Sequence, residues 1–272
     1  MYSENFEVCG GSSSVPDGCP TMNPAEFENI ARCERDFWWF RGMREIQFRL
    51  LDPVVAEGRE PKGASVLEAG CGTGYFSRVL EQRYGWRMTP LDLDQQGLEY
   101  ARGYGLDRLV RGDITALPFA AARFDGLVSM DVLVHLPRGE EGQAFGEFAR
   151  VLKKGGLLAL RVSALDILRS RHSQFVHERQ RFTRSRVVES LQAAGFQVRR
   201  ATYVNSLLLP VALFKFRIWE PLTGARPASG VAPVAGWLDA LLGATLMLES
   251  KWIGLGGGFP LGQSVVVVAR KA

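Results

Sequence analysis

Short apolar runs alternate with amphipathic segments along most of this chain. An apolar run bounded by turn residues is typical of a buried strand, whereas apolar positions three and four residues apart are typical of a helix. The runs predict strands at 64–67, 86–91, 109–111, 124–130, 157–162, 196–203 and 264–268. The periodic segments predict helices at 24–33, 36–51, 75–80 and 183–194. Strands that alternate with helices predict a doubly wound α/β sheet.

Two parts of the chain lie outside this alternation. Residues 1–22 are rich in Gly, Ser and Pro, so we expect a flexible tail, followed by N-terminal helices over 23–63 and the α/β domain over 64–272. An insertion at 205–261 carries two apolar stretches that are too short and too interrupted to cross a membrane. We interpret it as helices that close the core, as a lid over an apolar substrate, or as a contact with a membrane surface, in decreasing order of preference.

Composition places few limits on function. A chain of 272 residues fits one large α/β domain with an insertion. The net charge of +4 permits an anionic partner without requiring one. The four cysteines have the spacing of neither a zinc site nor a dense disulfide framework, and we see no secretory signal pattern. We therefore expect a cytoplasmic protein.

The most informative motif follows the first predicted strand. Glu68 precedes three glycines at alternate positions, Gly70, Gly72 and Gly74, and a helix comes next. Glycines at the carboxyl end of a parallel strand let the backbone approach a ligand closely. A pyrophosphate would favour a helix N-terminus without a neighbouring carboxylate. The acid before the glycines therefore indicates a ligand with an ammonium group and hydroxyls, such as S-adenosylmethionine.

Motifs further along the chain support the same ligand. Asp92 ends the second predicted strand about 20 residues after the glycines, where a carboxylate can accept hydrogen bonds from both ribose hydroxyls. Together with Gly112-Asp113, Leu117-Pro118-Phe119 and Phe124-Asp125, the order of motifs resembles the class I S-adenosylmethionine-dependent methyltransferases that act on small molecules. A nicotinamide-dependent dehydrogenase is the alternative. The resemblance implies a Rossmann-like, seven-stranded, mostly parallel sheet with an antiparallel last strand beside the sixth.

The resemblance also implies which residues hold the cofactor. Glu68 would organise its methionine end, Asp92 its ribose, and Asp113 its adenine amino group. The full set of expected cofactor contacts is Trp39, Arg44, Glu68, Gly70, Cys71, Gly72, Asp92, Leu93, Asp113, Ile114 and Met130. A nucleophilic role for Cys71 is not expected, because methyl transfer needs no covalent enzyme intermediate.

A block of aromatic and basic residues at 37–44 precedes the α/β domain. Bacterial members of the group that this chain resembles have a similar block that closes over the cofactor. Trp39 and Arg44 would then meet the methionine moiety, with Arg44 pairing its carboxylate. An aromatic anchor onto the core is an equally weighted alternative.

The end of the fourth predicted strand bears on the substrate. Ser129-Met130-Asp131-Val132 lacks the Asn/Asp-Pro-Pro-Tyr pattern of methyltransferases that act on nucleic-acid amino groups. Asp131 and His135 match part of the metal-binding M-E-x-L-E-H segment of ubiquinone-pathway O-methyltransferases, but Val134 replaces its second acid. Two ligands make a poor metal site, so we expect no metal. Because the Asn/Asp-Pro-Pro-Tyr pattern is missing, we expect no nucleic-acid partner either.

Candidate substrate contacts follow the fifth predicted strand. The stretch 169–186 is rich in arginine, which a solvated surface would explain. Within it, His177 and Arg179 belong to an H-x-R-x-F/Y element that faces the substrate opening in the group that this chain resembles. We predict His177 as a general base and Arg179 as a substrate contact. Tyr203 and Asn205, at the end of the sixth predicted strand, are further substrate candidates.

The expected activity is transfer of a methyl group from S-adenosylmethionine, with release of S-adenosylhomocysteine. The acceptor would be a small or medium-sized, partly apolar metabolite, methylated preferably on oxygen. The competing hypothesis is a non-catalytic protein that binds the cofactor or serves as a scaffold. A homodimer and a peripheral membrane contact stay open.

Overall fold

A seven-stranded sheet forms the centre of the protein in a computed structural model that describes residues 22–224 and 226–272. The strands are β1 (Ser65–Ala69), β2 (Arg87–Asp92), β3 (Val110–Arg111), β4 (Phe124–Met130), β5 (Leu152–Ser163), β6 (Phe196–Val204) and β7 (Ser264–Lys271). Their order in the sheet is β3-β2-β1-β4-β5-β7-β6. The first five pair in parallel, and β7 lies antiparallel between β5 and β6. This confirms the predicted fold class; the predicted tail at 1–22 lies outside the described residues except for Met22.

Ten α-helices surround the sheet in the described part of the chain. They are α1 (Pro24–Cys33), α2 (Trp38–Val55), α3 (Tyr75–Tyr84), α4 (Gln95–Gly103), α5 (Glu141–Val151), α6 (Arg171–Phe175), α7 (Arg184–Ala193), α8 (Leu209–Phe214), α9 (Glu220–Thr223) and α10 (Gly236–Gly254). A π-helical turn, Lys215–Trp219, joins α8 to α9. The first helix coincides with its prediction, whereas α2 begins two residues later than expected and continues through Pro53 to Val55.

The Lys-Lys-Gly-Gly composition of residues 153–156 predicts a turn before the fifth strand, but in the structure these residues belong to β5. Phe124 pairs with Leu152, and Gly126 pairs with Leu157, so β5 accommodates extra residues as a local irregularity between these pairs. Gly155 makes this possible with a left-handed φ of 75°. The polar and glycine-rich composition that suggests a turn therefore marks a bulge inside one strand.

Both faces of the sheet are buried under helices. Successive residues of a strand point to opposite faces, so they belong to different core clusters. Val66 and Val128 face a cluster with Met43 and Ile46 of α2. Neighbouring strand residues face a second cluster that contains apolar residues of α5 and α7. The apolar runs that predicted the strands are continuous for this reason.

The insertion contributes α8, α9 and α10. α10 lies beside α2 on the first face, with Leu246 and Ile253 buried against the sheet. Among the helices that the structure describes, none is both long and apolar enough to span a bilayer. A lid role and a membrane-surface contact stay predictions.

Candidate active site

The glycine motif forms a loop across the carboxyl ends of β1 and β2. The backbone N–H groups of Gly70 and Cys71 both donate to the Leu91 carbonyl, at 2.8 and 2.9 Å. Gly70, Gly72 and Gly74 have positive φ values of 82°, 54° and 75°. A Cβ atom would collide with Val132 at Gly70 and with Ala101 at Gly74, whereas nothing lies within 4 Å of one at Gly72. The loop is therefore packed at its two ends and open to a ligand at its centre.

Asp92 lies directly opposite this open loop. Its carboxylate accepts hydrogen bonds from the N–H groups of Gly72, at 2.7 Å, and Asp94, at 2.9 Å. Burial raises the pKa of Asp92 to about 6, although these N–H groups oppose the shift. The structure thus brings the predicted ribose-binding acid and the predicted glycine loop together.

Glu68 lies at the end of β1 and is fully enclosed. The hydroxyl group of Ser77, in α3, donates a hydrogen bond to its carboxylate. Burial raises the pKa of Glu68 to about 8, and the nearby charge of Asp92 adds to the effect. The carboxyl group therefore keeps its proton to a higher pH than an exposed glutamate would. Its predicted contact with the methionine end of the cofactor stays a prediction.

Cys71 is buried beside these two acids. Its thiol is directed to the Gly72 carbonyl at 3.6 Å. Burial, together with the charges of Asp92 and Glu68, raises the pKa of the Cys71 thiol well above its ordinary value. A thiol in this setting is a poor nucleophile, which agrees with a backbone role for this position.

The predicted adenine contacts lie next to Asp92 at the same edge. The Gly112 N–H donates to the Asp92 carbonyl at 3.0 Å, which places Asp113 and Ile114 directly after that contact. One oxygen of Asp113 accepts from both the N–H and the hydroxyl of Thr115, at 2.8 Å each. Leu93 is half-buried and Ile114 is buried. The adenine contacts themselves stay predictions.

Met130 ends β4 beside two residues that the sequence did not identify as site residues, Gln47 and Arg161. The side-chain amide of Gln47, in α2, donates to the Met130 sulfur at 3.1 Å. Arg161, paired with Met130 across β4 and β5, forms an ion pair with Asp131 at 2.6 Å. The Arg161 guanidinium also lies 5.0 Å from the ring centre of Trp39. Arg161 is the only charged residue in the apolar run 157–162, a signal that was available in the sequence.

Arg44, predicted to pair with the methionine carboxylate of the cofactor, contacts the end of α1 and the ring of Tyr75 in this structure. Arg44 donates to the backbone carbonyls of Glu34 and Arg35, and its guanidinium lies 5.3 Å from the ring centre of Tyr75. Glu34 in turn accepts from the Thr73 hydroxyl in the glycine loop at 2.5 Å. The N-terminal helices therefore contact the loop, and pairing of Arg44 with a carboxylate stays a prediction.

The predicted substrate loop lies against the tip of β4. The N–H groups of Arg179 and Gln180 both donate to the Val134 carbonyl, at 2.8 and 3.1 Å. His177 and Arg179 are exposed, and His177 has a positive φ of 58°. Burial lowers the pKa of His135, which faces the backbone of His177. The structure brings the segment that carries His177 and Arg179 to the end of β4, while the roles of His177 and Arg179 stay predictions.

The other two predicted substrate contacts, Tyr203 and Asn205, are both buried. The Tyr203 hydroxyl accepts from the Arg184 N–H at 3.1 Å, at the start of α7, so this buried side chain has a packing role. Asn205 is buried with φ of 55°, and its side-chain oxygen has no hydrogen-bond partner among the described residues. Over 22–224 and 226–272, no three His, Cys, Asp or Glu side chains are grouped to hold a metal.

Comparison with known proteins agrees with this geometry. A family described as methyltransferase domain matches residues 67–160. A malonyl-[acyl-carrier protein] O-methyltransferase of Enterobacter lignolyticus is 33% identical over 190 residues, which cover 69% of this chain and 72% of the relative. A 24-methylenesterol C-methyltransferase 2 of Oryza sativa is 33% identical over 40% of this chain and 32% of its own length.

Solved structures show the same fold. A phosphoethanolamine N-methyltransferase 2 of Haemonchus contortus, in complex with S-adenosyl-L-methionine, superposes with a TM-score of 0.56. The two chains are 16% identical, and the match covers 91% of this chain and 57% of the other.

Proposed function

The chain belongs to the S-adenosylmethionine-dependent methyltransferases, and from that premise we propose that it methylates an oxygen atom of a small or medium-sized, partly apolar metabolite. The activity class and the cofactor follow from the family. The acceptor and the atom that is methylated are the proposal. Relatives of this chain include both O- and C-methyltransferases, and O-methyltransferases are the more frequent of the two.

The contact of Asp92 with the glycine loop supports the place of the cofactor in this proposal. The open backbone at Gly72 leaves room for a ligand, and Asp92 offers an acceptor beside it. Residues of this kind fit the ribose and methionine groups of the cofactor. When bound, the cofactor supplies an electrophilic methyl group on a positively charged sulfur.

The chain's own task is then to position the acceptor, exclude water and remove a proton. Met130, Trp39 and Arg161 lie at the end of β4, on the side where the sheet meets α2. The Asp131 oxygen that Arg161 leaves unpaired is buried without a hydrogen-bond partner among the described residues. This arrangement supports an acceptor with an apolar body and a hydroxyl group near Asp131.

Removal of the acceptor proton is assigned to His177. An imidazole can accept a proton near neutral pH, and a general base typically accelerates a reaction about 10²- to 10⁴-fold. The contact of the 177–180 segment with the β4 tip supports this position for the base.

The test replaces His177 by Asn, a residue that tolerates the left-handed backbone conformation at this position. We expect turnover to fall about 100-fold or more. Affinity for S-adenosylhomocysteine, measured by calorimetry, should stay within a few-fold. The acceptor is first identified by incubating the wild-type protein with labelled S-adenosylmethionine and cell extract and following metabolites that gain a methyl group.

Gln174→Ala is the matched control, because Gln174 is exposed in the neighbouring α6. Full activity of the His177 variant at both saturating and limiting acceptor would refute the assignment of the base. Labelled product that carries the methyl group on carbon or nitrogen would refute the proposed O-methylation and leave the family assignment intact.

A further inference from the structure

The insertion between β6 and β7 exposes far more apolar surface than the rest of the described chain. Among the described residues, the large apolar side chains that are strongly exposed lie between Leu207 and Leu261, with Ile167 as the single exception. Trp237 is 72% exposed and Leu255 is 85% exposed. Exposed apolar side chains concentrated in one segment of the chain indicate a surface that interacts with a protein or a membrane.

The large apolar side chains exposed on α10, together with Leu255 directly after it, share one side of the helix. Positions 237, 241, 248, 252 and 255 fall within about 60° of one another at 100° per residue. They carry Trp237, Leu241, Leu248, Trp252 and Leu255, all exposed. The opposite side is buried and carries Gly243, Leu246, Glu249, Ser250 and Ile253. α10 therefore has an inner apolar face that closes the core and an outer apolar face without a partner in the described chain.

A second exposed stretch precedes α10 in the chain. It runs through α8, the π-helical turn and α9, with Phe214, Trp219 and Leu222 exposed. The two stretches are tied together, because Glu249 of α10 accepts from the N–H groups of Ser206, at 2.8 Å, and Leu207, at 3.1 Å. We name the exposed apolar residues of 207–255 the insertion patch.

The exposed charged residues of the insertion are all basic. Its acids are engaged within the fold: Glu220 accepts from the Arg171 N–H at 3.0 Å, Asp239 pairs with Arg41 at 2.8 Å, and Glu249 is buried. The basic residues of the insertion are all exposed, and they are Lys215, Arg217, Arg226 and Lys251. The surface that the insertion presents to a partner is therefore apolar and cationic.

We propose that the insertion patch binds the surface of a membrane that contains anionic lipids. Three exposed tryptophans, Trp219, Trp237 and Trp252, have the amphipathic rings that are favoured at the boundary between headgroups and acyl chains. The exposed lysines and arginines match the negative charge of anionic headgroups. The helices would lie in the plane of the interface.

The experiment measures sedimentation of the full-length protein with vesicles of phosphatidylcholine, with and without phosphatidylglycerol. We expect binding to increase with the phosphatidylglycerol content and to decrease as salt is added. Lys215→Gln/Lys251→Gln should weaken binding to the anionic vesicles about 10- to 30-fold. Trp237→Ser/Trp252→Ser should weaken binding about tenfold or more.

Arg123→Gln/Lys154→Gln is the matched control, since it removes the same charge from exposed positions at the amino ends of β4 and β5. Its binding should equal that of the wild type. Affinity for S-adenosylhomocysteine reports that each variant is folded.

Two results would overturn the proposal. One is that the wild-type protein does not sediment with anionic vesicles, or that both double variants bind these vesicles as tightly as the wild type does. The other is that the wild type is a dimer in sedimentation equilibrium, that Trp237→Ser/Trp252→Ser is a monomer, and that neither protein binds vesicles. A second copy of the chain would then cover the patch. Neither result depends on which acceptor the enzyme methylates.

Discussion

At the residue scale, the acids at the ends of β1 and β2 lie close together but have different surroundings. Glu68 is enclosed and contacts the Ser77 hydroxyl, whereas Asp92 accepts two backbone N–H groups at the edge of the glycine loop. Burial raises the pKa of both, to about 8 for Glu68 and about 6 for Asp92. At neutral pH the site therefore holds one neutral and one ionised carboxyl group, which limits repulsion between them.

The raised pKa of Glu68 predicts how stability depends on pH. Between its unfolded value of 4.5 and about 8, the folded protein retains a proton that the unfolded chain has released. The free energy of unfolding of the unliganded protein should therefore decrease as pH rises through this window. Glu68→Gln removes the titrating group, so its profile should be shallower by up to about 1.4 kcal/mol per pH unit.

Urea unfolding of both proteins across this window measures the two slopes. Asp92 titrates in both proteins and cancels in the comparison. Parallel pH profiles would contradict the assignment of a neutral Glu68.

Asp92 is predicted to be the residue on which cofactor affinity depends most. Hydrogen bonds to a charged group contribute about 1.5–3 kcal/mol each, so Asp92→Ala should lower the affinity for S-adenosylhomocysteine about 10- to 100-fold. The stability of the unliganded protein should change little, because the unfavourable burial of the carboxylate offsets its two bonds to backbone N–H groups. Calorimetry and urea unfolding measure the two quantities.

Asp92→Asn is the matched control for charge, since it keeps one acceptor oxygen of similar shape. Its affinity should fall between those of the wild type and the alanine variant. An unchanged dissociation constant for Asp92→Ala would show that the ribose is bound elsewhere.

At the scale of elements, the packing of α10 on α2 brings the insertion against the core. The two helices meet at small residues, Gly42 in α2 and Gly243 in α10. A Cβ atom on Gly42 would lie 2.5 Å from the Cβ and 2.4 Å from the Cδ1 atom of Leu246. Arg200 adds hydrogen bonds of 2.6 Å to the carbonyls of Ile253 and Gly257 at the end of α10.

Gly42→Ala is therefore expected to destabilise the protein by about 1–3 kcal/mol, because overpacking displaces α10. Gly146→Ala serves as its control. Gly146 lies inside α5, where nothing is within 4 Å of an added Cβ, so alanine should stabilise the helix by about 0.5–1 kcal/mol. Thermal or urea unfolding compares the two, and equal effects would contradict close contact of α10 with α2.

At the scale of the whole molecule, one buried ion pair joins distant parts of the chain. It lies near the amino ends of the parallel strands, away from the candidate active site. Arg270 of β7 pairs with Glu60, in the segment after α2. Arg270 also donates to the carbonyls of Gly155, at 3.0 Å, and Val54, at 3.2 Å. It thereby connects the last strand, the bulge of β5 and the end of α2.

Glu60→Ala removes the buried carboxylate and leaves the Arg270 guanidinium with only the exposed carboxylate of Glu57, at 3.5 Å, so it should cost about 3 kcal/mol of unfolding free energy. The double replacement Glu60→Met/Arg270→Met should recover much of that loss, because no unpaired charge remains. The exposed pair Glu45 and Arg49 is the control, and Glu45→Ala should cost less than about 1 kcal/mol. A small effect of Glu60→Ala, measured by urea unfolding, would show that water reaches Arg270.

The sequence by itself determined the order of the elements and the cofactor edge of the sheet. The apolar runs predicted seven strands because both faces of this sheet are covered, and β4 matched its prediction residue for residue. Glu68, the glycines and Asp92 were predicted as neighbours because parallel strands end at one edge. These features depend on residues near one another in the chain or on a regular topology.

Only the tertiary structure decided the contacts between distant segments. The ion pair of Arg161 with Asp131 beneath Trp39 combines residues from β5, the end of β4 and α2. The two apolar faces of α10 were also hidden, because hydrophobic periodicity does not tell which side of a helix meets the core. Which side is buried depends on where α2 and the sheet lie, and that is a property of the packed molecule alone.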